Sequence, residues 1–123
     1  MPNILIVDDE PAIRRVLSRL LAAKGYVVRE AGTAAEGIAA VALGGIDAVL
    51  CDVVMPGRSG FEFYDQVVRQ VPGMAGKVIF LTGAAKEPEV QHQTEARGVP
   101  LLSKLYELDL AVDAITLALL PKG

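Results

Sequence analysis

The chain has 123 residues, 52% of them hydrophobic, with 12 Lys or Arg against 15 Asp or Glu and a formal net charge of −3. That length and apolar content suit one compact domain that buries a core without covalent staples. The cations are scattered rather than gathered into a stripe, which removes the electrostatic footprint of a nucleic-acid binder. A single cysteine, Cys51, excludes an internal disulfide, and the apolar run near the N-terminus, Ile4-Leu5-Ile6-Val7, is too short for a signal peptide or a membrane span. The expectation is a soluble, cytoplasmic domain over residues 1–120, with 121–123 as a tail where either a short protein ends or a longer one continues.

Short apolar runs alternate with longer amphipathic segments. Strands are predicted at residues 3–7, 26–30, 47–51, 77–81 and 100–102, and helices at 11–24, 34–43, 60–71, 87–97 and 108–120. The first strand and the run Val49-Leu50-Cys51 lack polar alternation, as strands covered on both faces do. In the first helix Ile13, Val16, Leu17 and Leu20 recur at three-and-four spacing, and Pro11 suits its first turn, where no N–H is required. The fourth helix carries few large apolar residues and should face solvent. The fifth has Leu108, Leu110, Val112, Ile115, Leu117, Leu119 and Leu120 on more than one face, which leaves a side for a partner. Five strand-helix pairs in succession predict an α/β fold, a parallel sheet with helices packed on both faces by right-handed crossovers.

Ligands of open parallel sheets bind outside the carboxyl ends of the strands, near the point where strand order reverses. At those ends this sequence has Asp8-Asp9-Glu10, Asp52, Thr82-Gly83-Ala84 and Ser103-Lys104. One aspartate before a helix is commonly its N-cap, and one after a strand commonly starts a turn, as Met55-Pro56-Gly57 suggests for Asp52. A single helix start uses one cap, however, and the surplus acids beside Asp52 would repel one another and raise their pKa values unless a cation binds. An oxygen-only cluster with few protein ligands suits Mg²⁺, which keeps several waters and is completed by phosphate oxygens. Beside that ion Asp52 can attack phosphorus to form an aspartyl phosphate, with Lys104 offsetting charge and Thr82 donating to a phosphoryl oxygen. Lys104 or Thr82 alone would pass for an ordinary surface or turn residue; the set at four strand ends carries the reading.

These residues resemble the receiver domain of bacterial two-component response regulators, and the resemblance covers the whole chain. Its motifs are Ile6-Val7-Asp8-Asp9-Glu10, then Asp52-Val53-Val54-Met55-Pro56 with Gly60 beyond, then Leu81-Thr82-Gly83-Ala84, and Ser103-Lys104. The resemblance implies a flavodoxin-like, doubly wound five-stranded parallel sheet of order 2-1-3-4-5 with five helices. It implies Mg²⁺-dependent phosphorylation of Asp52 by a histidine kinase, a histidine phosphotransfer protein or a small phosphodonor. Asp9 and Asp52 would contact Mg²⁺ directly, Asp8 through water, and the carbonyl of Val54 would complete the protein ligands, while Thr82 and Lys104 bind the phosphoryl oxygens. In the family the threonine then moves toward the phosphate and an aromatic on the fifth strand swings inward. That movement changes the face made by the fourth helix, fifth strand and fifth helix, which is also a surface for a homodimer. The chain would be a phosphoacceptor rather than an enzyme, either free-standing or the receiver part of a hybrid sensor histidine kinase or a larger regulator.

The departures from the family concern output. Leu101, three before the lysine, stands where Tyr or Phe is usual, and Leu105 replaces a proline reached through a cis bond. A non-proline cis bond costs about 3 kcal/mol, so either a trans Lys104-Leu105 peptide with an altered loop or a strained exception is expected. Tyr106 reads as a structural aromatic under the last helix. Phosphorylation is expected to persist without the aromatic relay. Val54 and Ala84 cannot orient a water molecule, which predicts slow hydrolysis of the acyl phosphate. His92, among Glu89, Gln91, Gln93 and Glu95, reads as a solvated helix residue, and Cys51 as a small buried thiol facing away from Asp52.

Two other functions compete. A Mg²⁺-dependent phosphohydrolase with an aspartyl nucleophile wants a second acid two residues beyond it, where this chain has Val54. A pseudo-receiver, working only as an interaction module, would fit Leu101 and Leu105 but not the intact acidic set.

Overall fold

The computed structural model describes residues 1–121; Lys122 and Gly123, the end of the expected tail, lie outside the described residues. Its strands are β1 (Asn3–Val7), β2 (Val27–Ala31), β3 (Ala48–Asp52), β4 (Val78–Thr82) and β5 (Leu101–Ser103). All neighbouring pairs are parallel, and the order is β2-β1-β3-β4-β5. The helices are α1 (Pro11–Ala22), α2 (Ala34–Ala42), α3 (Gly60–Gln70), α4 (Pro88–Arg97) and α5 (Ala111–Leu119). This is the α/β arrangement expected from the strand-helix alternation, with the flavodoxin-like strand order that the resemblance implies. Four strands run one residue later than their apolar runs suggest, and in β3, β4 and β5 the added residue is a polar one that stays in the ladder. Asp52 pairs with Leu81, and Thr82 with Ser103.

Alternation within the strands sends side chains to two cores. Leu5, Val7, Val49, Cys51, Val78 and Phe80 face α2, α3 and Val90 of α4, whereas Ile4, Ile6, Leu50, Ile79 and Leu81 face α1 and α5. Both faces of the sheet are thus covered, which explains why β1, β3 and β4 read as unbroken apolar runs. Phe63 and Phe80 are fully buried, each contributing about 2 to 3 kcal/mol.

The helices agree in outline and differ in detail. On α1 the buried pair is Leu17 and Leu21, while Val16, assigned to the inner face from spacing, is 43% exposed. In α4 only Val90 and Thr94 are buried, and His92 lies exposed as expected. The expected helix at 108–120 is split: a short 3-10 turn at Leu108–Leu110 precedes α5. Ala111, Val112, Ile115 and Ala118 are buried, and Leu110, Leu117 and Leu120 remain exposed.

One local device bears directly on the site. Helix α3 begins with a capping box in which Ser59 Oγ accepts the Glu62 N–H and Glu62 accepts the Ser59 N–H. The first helical residue, Gly60, donates its N–H to the Val53 carbonyl at 2.8 Å. A side chain at Gly60 would run into the Asp52 carbonyl oxygen and the Val53 Cα, so only glycine lets α3 approach the end of β3 this closely. Gly57 supplies the turn between them with a φ of 83°.

Candidate functional site

Strand order reverses between β1 and β3, since the chain leaves β1 toward β2 on one side and later adds β3 on the other. The carboxyl ends of these two strands therefore flank the crevice in which such sheets bind ligands. Val7 pairs with Cys51, so Asp8 and Asp52 stand level, one residue beyond that pair. Asp52 in turn is level with Leu81, and Leu81 with Leu102, which puts Lys104 two residues, about 6 to 7 Å, past the level of Asp52. Its four-carbon stem reaches back across that step.

The result is a cation ringed by acids. Lys104 Nζ lies 2.9 Å from Asp52 Oδ2, 2.8 Å from Asp8 Oδ2 and 2.7 Å from Glu10 Oε1. Asp8 and Asp52 are buried, whereas Asp9 and Glu10 are exposed. One carboxylate oxygen from each of Asp8, Asp9, Glu10 and Asp52 lies within 4.8 Å of the others. Asp8 is not an N-cap. The cap position of α1 is Glu10, with no side-chain cap bond, and Asp8 Oδ1 instead accepts the Glu10 N–H at 2.9 Å. Arg14, one turn into α1, donates to the Asp8 carbonyl at 2.6 Å and pins the loop from below.

Burial dominates the electrostatics. It lifts the Asp52 carboxyl to about 7, with the Asp8 charge adding to the rise and hydrogen bonds from Lys104 and the Val54 N–H opposing it. Asp8 is raised for the same first reason, and the Lys104 ammonium and Glu10 N–H pull it back. Repulsion among the acids, the cause expected from sequence, is secondary to desolvation. Burial alone would lower the Lys104 ammonium, but the close carboxylates of Asp8, Glu10 and Asp52 outweigh that and hold it raised. The protein thus carries its own counter-ion in the cluster. In the sequence Glu10 is only the third acid of a run; its placement against Lys104 gives it a role.

The donor set fits a hard divalent cation. Four carboxylates offer oxygen alone, and the approach of Lys104 to Asp8 Oδ2 is off the hydrogen-bond direction, so that buried oxygen has no hydrogen-bond partner. A small oxygen-seeking ion such as Mg²⁺ would use it. Val54 lies beside the cluster, its N–H donating to Asp52 Oδ1 at 3.3 Å and its side chain 63% exposed. Thr82 is buried at the end of β4, where its hydroxyl accepts the Ala84 N–H at 3.0 Å. Cys51 is buried on the face opposite Asp52, as expected, and its thiol is pushed well up by that burial.

The loop after β5 corrects one expectation. No cis peptide occurs among the described residues, so Lys104-Leu105 is trans and the loop is the altered one. Residues 104–106 form a turn closed by the Glu107 N–H on the Ser103 carbonyl at 2.9 Å. That turn throws Leu105 and Tyr106 outward, and Tyr106 is 77% exposed rather than packed under the last helix. Leu108 takes the inner position against the α1 and α5 core instead. Leu105 and Tyr106 line a groove of about 700 Å³ with Ala84, Lys86 and Pro88. Leu101 is half-buried and packs against the core that contains Phe80.

The acidic crevice thus lies at the switch point of a parallel sheet, with Thr82 at the end of β4 and Lys104 just past the end of β5. The sequence profile of the family described as Response regulator receiver domain matches residues 4–116, and the chain belongs to that family. It is 30% identical over 117 residues to the transcriptional regulatory protein GlrR of Escherichia coli, covering 95% of this chain and 26% of that protein. It is 35% identical over 114 residues to the sensor histidine kinase RcsC of the same species, covering 93% of this chain and 12% of that one. The chain therefore spans well under two thirds of these relatives, one a transcriptional regulatory protein and the other a sensor histidine kinase. Among solved structures, response regulator TrrA of Thermotoga maritima in complex with Mg²⁺-BeF superposes with a TM-score of 0.83 at 27% identity, covering 96% of this chain and 99% of that one. Among the described residues no helix is long and apolar enough to cross a membrane.

Proposed function

We propose that this chain is a phosphoacceptor: Asp52 takes a phosphoryl group, with Mg²⁺ bound, from the phosphohistidine of a histidine kinase or histidine phosphotransfer protein. The observation that carries the reading is the 2.9 Å contact between Asp52 Oδ2 and Lys104 Nζ inside a crevice that also holds Asp8, Asp9 and Glu10. An isolated structural aspartate needs one cation, whereas this one shares its lysine with Asp8 and Glu10 in a cluster of four carboxylates.

In the transfer, an Asp52 carboxylate oxygen forms a bond to phosphorus as the phosphorus–nitrogen bond to the donor imidazole breaks and its electron pair returns to the ring. A bound Mg²⁺ would supply neutralisation of charge on the phosphoryl oxygens; Asp9 and Asp52, Asp8 through water, and the Val54 carbonyl would hold it. Lys104 moves its ammonium from the carboxylates to a phosphoryl oxygen, and Thr82 exchanges its local bond with Ala84 for another. Val54 and Ala84 offer no group to orient an attacking water, so hydrolysis is slow.

The sheet edge carries Leu101 in place of an aromatic, so output runs through the α4, β5 and α5 face without that relay, and the same face is the site of homodimer formation if one forms. The domain is cytoplasmic, does not itself bind nucleic acid, and serves either alone or within a longer regulator or hybrid kinase. The TrrA complex supports the choice of probe. Beryllofluoride with Mg²⁺ should bind the wild-type chain and not Asp52→Asn, read by ¹⁹F resonances of the bound species. Absence of binding to the wild type would favour a pseudo-receiver, and turnover of phosphate esters a phosphohydrolase.

A further inference from the structure

Lys104 must be held still to serve the crevice, yet it opens the turn that follows β5, an edge strand of three residues. The Lys104 N–H donates to the Thr82 carbonyl at 3.0 Å, which ties one side of the residue to β4. The preceding N–H, that of Ser103, points by strand alternation to the open side of the sheet, where no further strand exists. The Glu107 carboxylate occupies that side, its Oε1 accepting the Ser103 N–H at 2.8 Å. The backbone of Glu107 adds a second tie, its N–H donating to the Ser103 carbonyl at 2.9 Å. Inside this ring the Leu105 N–H is taken by Ser103 Oγ at 3.2 Å. Every N–H from Ser103 to Leu105 therefore has a partner, and two of the ties come from one residue.

We infer that Glu107 is a positioning residue: its carboxylate, closed back onto the Ser103 N–H, fixes the backbone from which Lys104 reaches Asp52. Glu107 is half-buried and its carboxylate is engaged by the Ser103 N–H, next to Lys104 in the chain, so it acts on the crevice through Lys104. It stands three residues after the lysine, where it heads the 3-10 turn Leu108–Leu110 without capping it; the side chain faces back to the strand instead. In a loop with no proline to stiffen it, a charge-assisted bond from the edge supplies the restraint. The consequence for phosphoryl binding rests on the function proposed above; the restraint on Lys104 does not.

Two measurements on the intact chain separate these. The first needs no ligand: the Lys104 side chain is 8% exposed, so its amine should acylate slowly, read by mass spectrometry of proteolysed protein. Glu107→Ala should speed that acylation several-fold, and Glu107→Gln, whose amide oxygen still accepts the Ser103 N–H, should stay near wild type. The second is affinity for beryllofluoride at saturating Mg²⁺, expected to fall about tenfold in Glu107→Ala, while Mg²⁺ affinity without the mimic, set by the acids, is unchanged. Unaltered acylation in Glu107→Ala overturns the inference, as does an equal loss in the Ala and Gln variants together with lowered melting temperature, which would mark a merely structural residue. If the wild type binds no beryllofluoride, the proposed function fails, and the acylation rates still decide whether Glu107 holds Lys104.

Discussion

Asp52→Asn should stabilise the metal-free protein above neutral pH and barely affect it in acid. Asp52 is 3% exposed and its carboxyl is lifted to about 7, against about 3.9 for an unfolded aspartate. The folded state thus binds this proton more tightly than the unfolded one. The stability that Asp52 contributes is complete below about pH 4 and is lost as pH rises to about 7. Three pKa units at about 1.36 kcal/mol each place that loss on the order of 4 kcal/mol. Asparagine does not ionise and keeps an oxygen toward Lys104, so it behaves as a permanently protonated Asp52. Its advantage should approach that figure, less the cost of seating an amide that donates where the carboxylate accepts. Urea unfolding of both proteins without divalent ions, at about pH 4 and about pH 8, reads the difference. A variant less stable than wild type at the higher pH, or an advantage equal at both, would refute the argument from burial.

Three further outcomes follow from the same geometry. Mg²⁺ should raise the melting temperature at alkaline pH, by the equivalent of about 2.7 kcal/mol at a hundred times its dissociation constant. The exposed Asp9 changed to Asn should abolish that rise while leaving the metal-free stability nearly alone; an undiminished rise would remove Asp9 from the ligands. Lys104→Met leaves Asp8 and Asp52 buried without their cation and should cost roughly 3 kcal/mol without Mg²⁺. In denaturant titrations the deficit should shrink in acid, where both carboxyls are protonated, and an equal deficit at both extremes would mean that Lys104 contributes by packing alone. Gly60→Ala should destabilise by about 1 to 3 kcal/mol, because its methyl meets backbone of Asp52 and Val53 rather than a flexible side chain; an unchanged urea midpoint would show that α3 can move away.

Much of this protein is legible without coordinates because its signals are local and periodic. Apolar runs such as Ile4 to Val7 fix strands buried on both faces, Pro11 and Gly60 mark helix starts, and acids at two strand ends fall together once the sheet is parallel. Boundaries slipped where polar residues remained in the ladder, at Asp52, Thr82 and Ser103. Tyr106 was misplaced because an aromatic in a loop carries no periodicity, and the turn that exposes it is set by hydrogen bonds between Glu107 and Ser103.

The sequence by itself determined the fold class, the order of elements and the residues that meet at the crevice, since hydrophobic period and chain connectivity constrain those strongly. Only the tertiary structure decided their electrostatic state. Whether an acid is desolvated depends on every element packed around it, and whether a lysine just past an edge strand reaches inward depends on the turn that carries it. Asp8 and Asp9 are adjacent in sequence, yet one is buried and the other exposed. That difference, together with a lysine brought from 52 residues beyond Asp52, turns a run of acids into a site with one carboxyl poised near neutrality.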